Sequence, residues 1–257
     1  MREGGILHGI GPEGALLVGL LSAHVISDFL VQTERVASEK ERSRGILLRH
    51  GVVTLVTWII ILIPFWNRSF LIGLLGLSIM HLLIDGGKSA LVDLRRRPLA
   101  VFLLDQGMHG ISIVLAWWVM VRIGVLRAPL FAVPSEWMEP GSKVAVIVAG
   151  FIFNGKGGTA IVRRLLDSTL QVIPGANGQE SRTYAMGRTI GNLERFLAYT
   201  LVLLHQWGAL GLVLAAKSIA RFRELENQDF ADYYLIGTLA SLSVAVATGV
   251  IVGLLIH

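Results

Sequence analysis

Three histidine–aspartate pairs carry the chemistry this sequence could do. His24 and Asp28, His81 and Asp85, and Asp105 and His109 are each four residues apart. On a helix, the two members of such a pair project from one face. The second pair lies in HLLIDGGK at 81–88, which adds Lys88 at the end of an apolar run over 69–84. An ionisable residue inside an apolar run of that length is costly and marks a functional site by default. Gln32 follows Asp28 at the same spacing of four, His50 opens a further apolar stretch, and Gln106 adjoins Asp105 on a different face. Imidazole nitrogen with carboxylate oxygen is an ordinary ligand set for zinc, and carboxylate-rich histidine sites also suit manganese or iron. A divalent ion held this way, with one position open, can activate water. Three carboxylates brought together do not all ionise without counter-charge, so a metal or protons must neutralise them.

These residues need helices to position them, and the composition supplies helices of one kind. Of 257 residues, 53% are hydrophobic and 16% charged, with mean hydropathy +0.65. Soluble domains carry about a quarter charged residues, so the deficit points to an all-α polytopic membrane bundle. The apolar runs are continuous and do not alternate with polar residues, which argues against a β-barrel. With no cysteine, disulfide and thiolate–metal chemistry are excluded. The net charge of +5 and pI near 9.9 fit basic loops on anionic lipid headgroups rather than nucleic acid. The N-terminal stretch shows no cleaved signal peptide.

About eight membrane segments are expected, over 14–31, 50–66, 70–91, 99–121, 143–153, 190–206, 209–220 and 231–256. A unit of four helices at 1–122 holds the pairs. An interfacial connection with a short segment, an amphipathic helix and a polar loop fills 123–189, and C-terminal membrane helices fill 190–257. Placing the 32–49 loop in the cytoplasm leaves only Arg2, Arg68, Arg122, Arg127 and Lys143 of the 23 Lys and Arg outside, as the positive-inside rule requires. Both termini then face out. The first and third helices run inward as His then Asp, and the fourth runs outward as Asp then His. All three therefore set Asp nearer the cytoplasm and His about 6 Å deeper, one rise of four residues. The expected layers are Asp28, Asp85, Asp105 and His24, His81, His109, with His50 capping the Asp layer.

His24-x3-Asp28-x3-Gln32 with Lys40, then His50, HLLIDGGK at 81–88 and LDQGMH at 104–109 resemble the bacterial membrane family catalogued as domain of unknown function 3307. GRTIGNLER at 187–195, AAKSIARF at 215–222 and the stretch 232–241 resemble the C-terminal part of its longer members. The resemblance implies a protein of the bacterial cytoplasmic membrane and brings no established activity. The His/Asp layout is also similar, in pattern alone, to membrane-bound metal-dependent hydrolases of bacteria.

The leading expectation is a divalent metal held by His24, Asp28, His81, Asp85, Asp105 and His109, with His50. Gln32, Lys40, Lys88 and Gln106 stand around it or against substrate, Lys88 neutralising an anionic group and Arg95 to Arg97 attracting headgroups. Metal-activated water would attack an ester or phosphoester of a lipid, although no one residue is assigned as catalytic. The competing readings are a cation or proton transporter built on the same cluster, and a ligand-free polar network that holds helices together. The apolar outer halves, at 16–21, 71–77 and 111–121, favour a one-sided site. Glu194 and Arg195 read as a local pair or interfacial anchor, and Lys217 as snorkelling to the surface.

Overall fold

The structure is a computed structural model in which residues 6–40, 43–88, 98–127, 134–170 and 182–257 are described. Among them every regular element is helical and no strand occurs. The main helices are α1 (Pro12–Val25), α2 (Glu34–Glu39), α3 (Arg44–Ile61), α4 (Arg68–Gly87), α5 (Pro98–Arg122), α6 (Ser135–Ile152), α7 (Gly158–Leu170), α8 (Arg182–Leu203), α9 (Trp207–Ala220) and α10 (Gln228–Ile256). The boundaries follow local chemistry. Pro12 opens α1 and Pro98 opens α5, where a missing N–H costs nothing. Thr33, Ser43 and Asn67 cap α2, α3 and α4 by accepting from Val36, Ile46 and Phe70 N–H groups, as short polar side chains do at helix starts. The Asn67 amide also donates to the Val125 carbonyl.

Among the described residues, six helical stretches are long and apolar enough to cross a membrane: Pro12–Val31, Arg44–Ile61, Arg68–Gly87, Pro98–Arg122, Glu136–Thr169 and Phe230–Ile256. They are apolar outward as well as inward. Ile72, Leu83 and Ile111 are each 63% exposed. A helix apolar all round has the pattern of a membrane span. The remaining expected segments differ in kind. α8 is 22 residues long but carries Arg188, Asn192, Glu194 and Arg195, and α9 is apolar but only 14 residues long.

Two features depart from the expected segmentation. The second segment starts at Arg44 rather than His50, because the Ser43 cap sets its first turn, and it ends before a 3-10 turn at Ile63–Phe65 that contains Pro64. The fifth expected segment, 143–153, does not end the helical course: a π turn, Phe153–Gly157, stands between α6 and α7. Arg95 to Arg97 and most of the polar loop expected after α7 lie outside the described residues.

The chain divides into two compact units, Met1–Ile152 with Ile256–His257, and Phe153–Leu255. In the first, Leu16, Leu20, Trp58, Phe70, Leu74, Leu77, Ile113 and Met120 form a fully buried apolar core drawn from α1, α3, α4 and α5. In the second, Ala198, Val202, Leu210 and Ala245 form a smaller cluster.

Candidate metal centre

The site is assembled in the first unit, directly against its apolar core. α1 does not end as a plain α-helix but widens into a π turn, Ile26–Val31, closed by a 3.0 Å bond from Gln32 N–H to the Ser27 carbonyl. Such turns occur often at functional positions. This one carries Asp28, and the Ser27 hydroxyl is bonded to the His24 carbonyl at 2.9 Å. α3 meets α4 closely at Gly51, where a Cβ would stand 2.5 Å from the Leu82 side chain. That approach brings His50 beside His81.

The three pairs converge as their spacing requires. The imidazole rings of His24, His81 and His109 form one cluster, with centroids 5.7, 5.1 and 4.3 Å apart. His50 joins them at 5.4 Å from His81. The buried Trp58 indole closes the apolar side, edge-on to His81 at 5.7 Å. His24, His50, His81, Asp85, Asp105 and His109 are all buried, and the Asp28 side chain is 5% exposed.

Donor atoms crowd around His81. His50 Nε2 and His81 Nε2 are 3.3 Å apart. Asp85 Oδ2 lies 3.3 Å from the first and 3.4 Å from the second, and Asp28 Oδ1 lies 3.7 and 3.6 Å from them. A second group consists of Asp85, Asp105 and His109, whose ligand atoms all lie within 4.8 Å of one another. His109 Nδ1 donates to the Asp105 carbonyl at 2.8 Å, which leaves the lone pair of the neutral ring on Nε2. That nitrogen, both nitrogens of His24, His81 Nδ1 and Asp105 Oδ1 are buried without a hydrogen-bond partner. Gln106 lies close enough to interact with His24 but bonds Asp105 instead, at 3.0 Å.

Spacing alone does not reveal the counter-charge. Lys40, from the end of the short helix α2, is buried and donates to both oxygens of Asp85 at 2.8 Å. Lys88, one residue past α4, bridges Asp85 Oδ1 at 2.9 Å and Asp105 Oδ2 at 2.8 Å. Burial alone would lower the Lys88 pKa, but the Asp85 and Asp105 carboxylates outweigh it and raise the value above the ordinary one. Two ammonium groups thus meet three carboxylates, and with neutral imidazoles one negative charge remains. Lys88 faces the carboxylates rather than an incoming anion. Gln32 accepts from Lys40 at 3.4 Å.

In the second unit, Arg195 is buried rather than interfacial. It donates to the Asn154 carbonyl in the π turn at 2.6 Å, to Thr159 Oγ1 at 2.6 Å and to Ser241 Oγ at 3.0 Å. Glu194 turns instead to Lys217, 2.6 Å away. Neighbouring residues on a helix point about 100° apart, so a local pair was not available to them.

Residues 16–133 match the model of a family described as a protein of unknown function, DUF3307, and that span holds every member of the His/Asp cluster; the later motifs lie beyond it. No curated protein and no solved structure matches the chain, so the likeness to membrane metal hydrolases rests on pattern alone. Over residues 16–133, a little under half of its length, the chain is similar to the DUF3307 family.

Proposed function

We propose that this is a multi-pass protein of the bacterial cytoplasmic membrane that holds one divalent cation between His50, His81, Asp28 and Asp85 and uses it to activate water. The observation that carries this reading is the spacing of three donor atoms, with a fourth, Asp28 Oδ1, at 3.7 and 3.6 Å from the two nitrogens. Ligands bonded at 2.0–2.1 Å around a tetrahedral ion stand about 3.3 Å apart, and the His50, His81 and Asp85 atoms are separated by 3.3 to 3.4 Å. Two imidazole Nε2 atoms facing each other across a carboxylate are satisfied together by a cation. Zinc suits this set, and manganese or iron also accept it.

The site is one-sided. Beyond the His layer lie Leu16, Leu20, Leu74 and Ile113, all buried and apolar, with the buried hydroxyls of Ser22, Thr54 and Ser78 as the polar groups nearest the histidines among the described residues. That supports a reaction centre over a transport route. Counting the charged α8 and the short α9 as crossings gives eight segments, with the Lys-bearing end in the cytoplasm and both termini outside. The substrate class is then an ester or phosphoester of a lipid whose headgroup lies at that basic surface.

Metal analysis of the purified protein in detergent, after exposure to zinc, manganese or iron, tests the centre. About one ion per chain is expected in the wild type, with loss in His81→Ala. Equal and negligible metal in both would remove the reading. Metal-dependent cleavage of anionic phospholipid in vesicles, abolished by the same substitution, tests the chemistry.

A further inference from the structure

We infer that the ammonium group of Lys88 occupies the place of a second cation, so that a two-ion donor arrangement is held as a one-ion centre. The inference rests on the proposed ion at His50 and His81, but it concerns a different group of atoms. Apart from Lys40, which donates to both its oxygens at 2.8 Å, Asp85 has two faces. Its Oδ2 is directed to the histidine pair at 3.3 and 3.4 Å, while its Oδ1 receives Lys88 at 2.9 Å. A carboxylate placed this way is a bridge between two positive centres. On the Lys88 side the other donors of a cation site are already present. Asp105 binds the same ammonium through Oδ2 at 2.8 Å and keeps Oδ1 buried with no hydrogen-bond partner. His109 offers a buried, unpartnered Nε2 whose lone pair is fixed by the bond from its Nδ1 to the Asp105 carbonyl. One ligand atom from each of Asp85, Asp105 and His109 lies within 4.8 Å of the others, and the His109 ring approaches Asp105 Oδ1 to 3.4 Å through Nδ1.

Their unpartnered nitrogen and oxygen are what an ammonium leaves behind. A lysine head donates three hydrogens and has no vacant orbital, so it satisfies carboxylates but cannot accept a lone pair from imidazole. A divalent ion there would satisfy all three side chains at once. Lys88 therefore excludes the second ion by charge and by position while holding Asp85 in place.

The test is metal stoichiometry in wild type, Lys88→Met and Lys88→Met/His109→Ala, with zinc and with manganese. One ion per chain in the wild type, two in Lys88→Met and one again in the double variant are expected. The manganese-loaded single variant should give the electron paramagnetic resonance signal of a spin-coupled pair bridged by Asp85. One ion in both wild type and Lys88→Met, or two in the wild type, would overturn the inference while leaving the first site standing. No ion in any variant would overturn both. A wild type without metal beside a Lys88→Met variant with one ion, lost on His109→Ala, would sink the first site and keep this one. Should Lys88→Met not fold, Lys88→Gln, whose amide keeps a hydrogen bond to a carboxylate, is read in the same way.

Discussion

The two units each bury charge beside a π turn, and they use it differently. In the second unit, the π turn Phe153–Gly157 exposes backbone carbonyls, and Arg195 donates to them and to neighbouring hydroxyls. Its guanidinium is occupied by the fold, and Lys217 is occupied by Glu194 and Thr238. In the first unit, the π turn Ile26–Val31 presents a carboxylate, and the residues around it leave imidazole nitrogens buried and unpartnered. Burial of charge is common to both regions. What separates them is the kind of group left over. Arg195 acts as a clamp on the π-turn backbone, whereas the first unit leaves buried lone pairs unused, and these are what the proposed cation would take up.

This contrast can be broken by substitution. The largest effect is expected from Asp85→Ala, which leaves Lys40 and Lys88 facing each other without their shared carboxylate. Removing one partner from a buried ion pair costs about 3–5 kcal/mol, so thermal unfolding in detergent should drop sharply and bound metal should vanish. A variant that melts and binds like the wild type would show that the cluster is not organised around Asp85. Arg195→Met comes next. Unsatisfied buried carbonyls cost about 1–3 kcal/mol, so stability should fall while metal per folded chain stays at the wild-type level. Loss of metal there would erase the distinction between clamp and centre.

Lys40→Met should act in the opposite direction on binding. Taking one positive charge away from Asp85 should tighten metal affinity by about tenfold, a modest share of the Coulomb energy available at this separation. Unchanged or weaker affinity by titration would mean that Lys40 does not compete with a cation. Gln32→Ala is the smallest. Its contact with Lys40 is 3.4 Å long, and a marginal hydrogen bond is worth about 0.5 kcal/mol or less. Both stability and metal content should be close to wild type, and a collapse of either would reassign Gln32 to the centre itself.

The helices of the first unit were legible because their apolar runs are long and uninterrupted. The convergence of the pairs was legible because a spacing of four, reversed with helix direction, has few geometric solutions. Lys40 was harder. It sits in a loop where Arg35, Glu39 and Arg44 alternate in sign, and nothing local marks one of them as inward-pointing; only the placement of α2 takes its side chain to Asp85. The π turns have no periodic signature either, since the apolar pattern of α1 continues through Asp28. The role of Arg195 is not legible, because adjacency to Glu194 in sequence is not adjacency in space on a helix.

The indole of Trp58 stands edge-on to His81 at the boundary between the polar cluster and the apolar core. It is therefore a built-in optical reporter. An occupant at His81 changes the electric field at that ring, so emission from Trp58, isolated by comparison with Trp58→Phe among the six tryptophans, would follow loading of the centre in real time without any added label.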